Sequence, residues 1–214
     1  MTAGADILVL GAGPVGCTLA LALQGSGHRV RLVEPRRAAA PAFRPIALSH
    51  ASRLILERIG AWGAFRATPI AAIHVSQAGA FGRTRMEAAE AGVPALGYVT
   101  QYAALVAALR ARVDIQQEVG DTPTLLTVHA EGTAGESRER RYGHDAVVAQ
   151  VRAEPAAQAT AYERFTAEGP LALLPLEGEW ALVWSARPER AAALAAAPQE
   201  EFLAQLQAAF GERA

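Results

Sequence analysis

The sequence predicts an α/β fold in which a β-α-β unit near the start of the chain is followed by an antiparallel β-sheet. The first observation is the apolar run Ile7-Leu8-Val9-Leu10, which leads through the turn Gly11-Ala12-Gly13-Pro14-Val15-Gly16 into a helical pattern. The second is a series of short apolar runs separated by Glu-Gly turns, which is typical of an antiparallel sheet. These runs span residues 146–151, 161–166, 171–176 and 180–185.

The β-α-β unit carries its glycines in the setting that a dinucleotide site requires. The helix that follows the turn ends at Gly25-Ser26-Gly27, and a second strand, Arg29 to Val33, ends in Glu34. A Gly-x-Gly-x-x-Gly turn between a strand and a helix exposes main-chain amides, and the helix dipole adds positive potential. The sequence therefore predicts that a diphosphate binds at the start of the first helix.

Each residue of the glycine turn has an expected role. Gly11 permits the tight turn, Gly13 lets the main chain approach a diphosphate, and Gly16 lets the helix pack closely on the strand. We expect Pro14 and Val15 to border the cofactor in the same turn. Proline suits the first helical position because the N–H that it lacks would be unpaired there.

Glu34 indicates which nucleotides fit the site. A carboxylate at the end of the second strand can accept hydrogen bonds from the ribose hydroxyls, which favours FAD or NAD over the 2′-phosphate of NADP. The glycine turn alone leaves FAD and NAD open, but a position at the start of the chain is common in flavoproteins. An NAD-dependent dehydrogenase is the weaker alternative, because the sequence shows no Ser/Tyr/Lys or His/Asp proton relay.

The composition excludes several other classes of function. The chain has 214 residues and a formal net charge of -1, so its charge gives no reason to expect nucleic acid or an anionic membrane as a partner. Cys17 is the only cysteine, which excludes an intrachain disulfide and makes a reducing cytoplasm the expected location. The five histidines lack the spacing of metal ligands, so we expect no metal site.

The remaining elements complete the expected architecture. We predict helices over residues 52–59 and 102–110, a strand over 124–129, and a helix over 188–210 with a break at Pro198. The predicted nucleotide-binding part comprises residues 1–69 and 95–143. The predicted substrate domain, an antiparallel sheet with a C-terminal helix, comprises residues 70–94 and 144–214.

Five stretches of the chain resemble the aromatic-hydroxylase flavoproteins, the group that includes p-hydroxybenzoate hydroxylase. The closest similarity is to the ubiquinone-biosynthesis hydroxylases, and the stretch around Arg164, Gly169 and Pro170 is the most specific to them. The resemblance implies a Rossmann-like FAD-binding domain with an antiparallel substrate domain. The matching stretches are residues 5–36, 44–62 (RPIALSHASRLILERIGAW), 79–85 (GAFGRTR), 97–110 (GYVTQYAALVAALR) and 162–176 (YERFTAEGPLALLPL).

The resemblance also implies an activity. Members of the family use NAD(P)H to reduce the flavin, form a flavin C4a-hydroperoxide with O₂, and deliver one oxygen atom to a phenolic ring. The implied substrate is a small phenolic precursor of ubiquinone. Association with a membrane surface or a ubiquinone-synthesis complex, and self-association, are left open.

Several further cofactor contacts follow from the resemblance by position. Glu34 and Arg36 match the ribose and adenine-side contacts of the family, and Arg44 matches an arginine near the FAD phosphates or the substrate entrance. Gln101 stands where the family contacts the ribityl chain, although a plain helix-capping role is the competing interpretation. Glu131-Gly132 stands where the family has Asp-Gly, so the carboxylate there is longer by one methylene.

The chain also departs from the family pattern. Residues 114–128 have room for about one strand where relatives have a hairpin or meander, and no segment after Leu176 resembles the Gly-Asp segment that contacts the flavin in relatives. We therefore expect an incomplete form of the hydroxylase, in which the flavin ring would be open to water. The alternative is a fragment or remnant that binds FAD or ADP without catalysis.

Overall fold

The computed structural model describes residues 6–35, 43–120, 123–132, 140, 142–154, 156 and 158–211. Contacts divide the chain into two units. The first unit contains residues 1–42, 51–66 and 102–139, and the second contains residues 43–50, 67–101 and 140–214. In chain order the elements are β1 (Ile7–Leu10), α1 (Pro14–Ala22), β2 (Val30–Val33), β3 (Pro45–Ser49), α2 (His50–Arg58), β4 (Thr68–Ile70), β5 (Ala72–Gln77), β6 (Arg83–Glu87), β7 (Gly97–Gln101), α3 (Tyr102–Arg110), β8 (Ile115–Gln116), β9 (Leu126–His129), β10 (Asp145–Val151), β11 (Thr160–Phe165), β12 (Pro170–Leu176), β13 (Glu179–Ala186), α4 (Pro188–Ala196) and α5 (Gln199–Phe210).

The first unit is built on a four-stranded parallel sheet in the order β8-β2-β1-β9. β1 lies in the interior of this sheet, where Ile7 pairs with Val30 of β2 on one side and with Leu126 of β9 on the other. Val9 and Val33 are fully buried, as expected for short apolar strands whose two faces are both covered. The carboxyl ends of β1, β2 and β9 therefore lie side by side at one edge of the sheet.

The second unit contains a six-stranded sheet in the order β10-β13-β12-β11-β5-β6 and a three-stranded sheet in the order β3-β7-β4. All pairs are antiparallel except β11 with β5, which run parallel. Helices α4 and α5 cover one face of the larger sheet. Their Leu194 and Leu206 pack against Leu171, Leu182 and Trp184 of the strands in one buried cluster.

The α/β fold class with an antiparallel sheet is confirmed. The strand at residues 7–10 and the helix at 102–110 lie where they were predicted, and the break at Pro198 separates α4 from α5. β8 was not predicted, because it has only two residues and is held by its pairing with β2. The limits proposed for the two domains stay a prediction.

Membrane insertion is tested by the helix lengths and their polarity. None of the helices in the described ranges is both long and apolar enough to cross a bilayer.

Candidate functional site

The candidate site lies at the carboxyl edge of the parallel sheet in the first unit. β1 ends at Gly11, β2 ends next to Glu34, and β9 ends next to Ala130 and Glu131. The Gly11 amide donates to the Val33 carbonyl (2.8 Å) and the Ala130 amide to the Leu10 carbonyl (2.7 Å), so the three strand ends are joined. In open parallel sheets this edge is where ligands bind, because the loops leave a crevice there.

Gly11 and Gly16 are required by the shape of the turn. Gly11 has a φ of +99°, and a Cβ placed there would lie 2.7 Å from the main chain of Ala130 and Glu131. A Cβ on Gly16 would lie 1.9 Å from the Gly11 carbonyl oxygen. Side chains at either position would thus force the start of α1 away from the sheet.

Gly13 is different, because neither its conformation nor its neighbours demand glycine. Its φ of −76° and ψ of −175° are extended values that any residue adopts. A Cβ there would have the Tyr102 hydroxyl as its nearest neighbour, at 3.7 Å. The space above Gly13 is open, as a closely approaching ligand would need.

The start of α1 offers main-chain donors to a ligand. Gly13 occupies the N-cap and has no side chain to cap the first turn, and Pro14 follows it. Val15 in the same turn is 71% exposed, so the turn is open to a ligand rather than packed. Amides at such a helix start attract a diphosphate.

The Glu34 carboxylate points toward the glycine turn. Its Oε2 accepts a hydrogen bond from the Ala12 amide (3.0 Å), and the Nη2 of Arg110 lies 3.3 Å from the same oxygen. The Glu34 side chain is 21% exposed, so the carboxylate is accessible from the crevice. A carboxylate in this position can accept hydrogen bonds from a ribose that binds at the turn.

The Ala12 carbonyl is held by two side chains. It accepts hydrogen bonds from the Nε of Arg110 (2.8 Å) and from the Sγ of Cys17 (3.3 Å). Cys17 is fully buried, and burial raises the pKa of its thiol, against the opposing effect of the nearby Arg110 charge. Cys17 therefore packs in the first turn of α1, and its raised pKa disfavours the thiolate form.

Glu131 and Gly132 follow β9 at the same edge. Gly132 has a φ of +74°, in the left-handed region that favours glycine. The Glu131 carboxylate is 15% exposed, and its Oε2 lies 3.2 Å from the Nδ1 of His129. The longer acid therefore stands beside Gly11 at the end of the third strand.

The other predicted contacts lie elsewhere in the chain. Arg36 is outside the described residues. Arg44 and Gln101 belong to the second unit, where Arg44 directly precedes Pro45, and Pro45 pairs with Gln101 at the end of β3 and β7. Arg44 and Gln101 thus lie at the same end of the three-stranded sheet, and their contacts with a cofactor stay a prediction.

Two residues of the site were not recognised in the sequence. Arg110 is the last residue of α3 and Tyr102 is the first, and both reach the glycine turn. An arginine at a helix end has an ordinary local explanation in the helix dipole, so no sequence signal separates Arg110 from other such residues.

The residues at this edge fit the adenosine diphosphate half of a dinucleotide. The turn presents an uncapped helix start, open space over Gly13 and a carboxylate directed at the turn. Within the described ranges, no three His, Cys, Asp or Glu side chains are grouped as metal ligands.

The sequence model of one protein family, described as the FAD binding domain, matches residues 4–154 of the chain. The matched range includes all four strands of the parallel sheet and the whole candidate site.

Curated relatives match almost the whole chain. The chain is 30% identical to ubiquinone hydroxylase UbiL of Rhodospirillum rubrum, over 97% of this chain and 58% of that protein. It is 27% identical to the 3-demethoxyubiquinol 3-hydroxylase of Escherichia coli, over 95% of this chain and 62% of that protein. The chain thus spans about three fifths of the length of these relatives.

Solved structures agree on the fold. The crystal structure of HpxO from Klebsiella pneumoniae, complexed with FAD and uric acid, has a TM-score of 0.68 at 16% sequence identity. The match covers 96% of this chain and 61% of HpxO. The crystal structure of PqsL from Pseudomonas aeruginosa has a TM-score of 0.66 at 17% identity and covers 95% of this chain and 66% of PqsL.

Proposed function

The chain belongs to the family of FAD-binding domains, and we propose that it holds FAD in an enzyme that hydroxylates the phenolic ring of a ubiquinone precursor. The observation that carries this proposal is the carboxyl edge of the parallel sheet, where the glycine turn, Glu34 and Glu131 meet. The substrate class is supported by the names of the two curated relatives, ubiquinone hydroxylase and 3-demethoxyubiquinol 3-hydroxylase.

The residues of the first unit would bind and orient the cofactor. The amides at the start of α1 would bind the diphosphate, and Glu34 would accept hydrogen bonds from the adenosine ribose. Bound FAD would supply the redox chemistry, for which NAD(P)H would provide the electrons, with one atom of O₂ entering the ring and the other becoming water. The protein contributes position and the exclusion of water.

A second candidate function is favoured by the part of the cofactor that the described residues would contact. The contacts that support the proposal would all serve the adenosine diphosphate half of the cofactor. The alternative is a chain that binds FAD or ADP and does not turn over a substrate.

One experiment separates these functions. The purified chain is saturated with FAD, freed of excess cofactor, and examined for flavin absorbance. NADH or NADPH, O₂ and a prenylated phenol are then added, and the hydroxylated product is measured by chromatography. A yellow protein that forms product supports the proposal, and a yellow protein without product supports the alternative. A protein that takes up no flavin contradicts the proposal, and a protein that binds neither FAD nor ADP contradicts the alternative as well.

A matched pair of variants makes the flavin result specific to the site. Gly13→Val should abolish FAD uptake, because the side chain would occupy the space over the turn. Gly82→Val is the control, since a Cβ at Gly82 would meet nothing within 4 Å and Gly82 lies in the second unit. Equal FAD uptake by the two variants would contradict the placement of the cofactor.

A further inference from the structure

We propose that Arg110 is a positioning residue that fixes the Glu34 carboxylate and the glycine turn for recognition of the adenosine ribose. This inference rests on the proposed binding of FAD. Arg110 lies at the end of α3, outside the glycine turn and both of the strands that flank it.

Three hydrogen bonds form a closed network around Ala12. The Nε of Arg110 donates to the Ala12 carbonyl at 2.8 Å, and its Nη2 donates to Glu34 Oε2 at 3.3 Å. The Ala12 amide donates to the same Glu34 oxygen at 3.0 Å. One guanidinium therefore joins the main chain of the turn to the acid of the second strand.

The usual role of an arginine at a helix end does not account for the contacts that Arg110 makes. Such a residue usually stabilises its own helix through the dipole and the last carbonyls. The donors of Arg110 instead reach partners 98 and 76 residues away in the sequence. Arg112, two residues further on, provides the comparison, because its Nη2 donates to the Ile59 carbonyl (3.3 Å) and not to the turn.

The geometry of arginine suits this task. The planar guanidinium has donors on separate nitrogens in a fixed fork, so it can hold two acceptors in a set geometry. The three donors of a lysine ammonium lie on one nitrogen that rotates on a flexible stem. Its positive charge also offsets the repulsion between the Glu34 carboxylate and an incoming diphosphate. The expected result is a site that is ordered before the nucleotide arrives, which lowers the entropic cost of binding.

The test compares two nucleotides that differ only in the ribose hydroxyls. ADP and 2′,3′-dideoxy-ADP are titrated by calorimetry into the wild-type chain and the Arg110→Ala variant. The wild type should prefer ADP, because Glu34 accepts hydrogen bonds from the hydroxyls. Arg110→Ala should bind ADP about tenfold more weakly, and its preference for ADP over the dideoxy nucleotide should largely disappear.

Three further variants separate positioning from general stabilisation. Arg112→Ala removes the same charge nearby and should leave the preference for ADP unchanged. Arg110→Lys keeps the charge without the fork, so it should recover part of the ADP affinity but little of the preference. Glu34→Gln should lose the preference by itself, and combining it with Arg110→Ala should lower the preference no further.

The results that would overturn the inference are distinct. Equal weakening of both nucleotides by Arg110→Ala, or an unchanged preference for ADP, would show that Arg110 does not act through Glu34. A wild-type chain that binds neither nucleotide would overturn the proposed function, and this inference with it.

Discussion

At the scale of single residues, the glycines of the turn have separate physical functions. Gly16 is required by contact with the Gly11 carbonyl, and Gly11 by its positive φ and its approach to β9. Gly13 has an ordinary backbone conformation and open space above it. The first two glycines are therefore required by the fold, whereas Gly13 is not, as expected for a residue proposed to face a ligand.

This difference predicts that replacement by alanine mainly lowers stability at Gly16 and mainly weakens FAD binding at Gly13. Gly16→Ala should lower the free energy of unfolding by about 3 kcal/mol or more, because the new methyl group would overlap the Gly11 carbonyl. Gly13→Ala should change stability by less than about 1 kcal/mol, because the poorer capping by alanine is offset in part by the smaller entropy of the unfolded chain. It should nevertheless weaken FAD binding about tenfold, or ~1.4 kcal/mol. Urea unfolding without cofactor and FAD titration measure the two effects; a Gly13→Ala variant with unchanged FAD affinity would contradict the assignment.

Asp6, which directly precedes β1, makes the free energy of unfolding depend on pH. Its carboxylate accepts hydrogen bonds from the Nη2 (2.8 Å) and the main-chain amide (2.9 Å) of Arg29, and the side-chain bond is the main reason that the pKa of Asp6 is lowered. A carboxyl group with a lowered pKa stabilises the fold above its unfolded pKa of about 3.9, and this contribution is lost as the pH falls through the folded pKa.

Asp6→Asn should therefore be less stable than the wild type at pH 7, and the difference should shrink below about pH 4 as Asp6 takes up a proton. Urea unfolding of both proteins between pH 7 and pH 3 measures this difference. Glu87→Gln is the control, because Glu87 pairs with Arg85 on the surface, where ion pairs contribute little. A stability gap for Asp6→Asn that stayed constant over this range would argue against the assignment.

At the scale of elements, α5 is held in place by the side chains on one of its faces, which pack against the larger sheet. Leu206 is 6% exposed and belongs to the cluster that α4 and α5 form with the larger sheet, whereas Leu203, one turn earlier, is 40% exposed. The two leucines are in the same helix and have the same helix propensity. They differ in how much apolar surface the fold removes from water.

We expect Leu206→Ala to lower the free energy of unfolding by about 2–5 kcal/mol, because the substitution leaves a cavity in the cluster. Leu203→Ala should cost much less, since about two fifths of that side chain already contacts water. Chemical denaturation of both variants tests the pair. Similar losses of stability in the two variants would mean that the face containing Leu206 is not the one that holds α5 in place.

The elements also show how far the sequence could predict the structure. β1 was predicted from its apolar run and from the glycine turn that follows it, which are local signals. β8 was missed because two residues carry no periodicity, and the parallel pairing of β11 with β5 depends on partners far apart in the chain. Arg110 was missed in the site for the same reason, since its partners lie in other elements.

At the scale of the whole molecule, the two units differ in their sheets and in the residues that fit a nucleotide. The first unit contains the glycine turn and the Glu34 carboxylate, whose arrangement fits adenosine diphosphate, and the second contains the larger, mostly antiparallel sheet. The chain spans 58% of UbiL and 62% of the Escherichia coli hydroxylase. FAD binding is thus the property that the described residues support most directly, and hydroxylation is the proposal that extends it.

The most direct test of this account is competition between ADP and FAD for the wild-type chain, followed by the fluorescence of the flavin. FAD should bind with one site per chain, and ADP should displace it, because the contacts at the carboxyl edge of the parallel sheet are made to the adenosine diphosphate half. FAD that failed to bind, or bound FAD that excess ADP did not displace, would contradict the account.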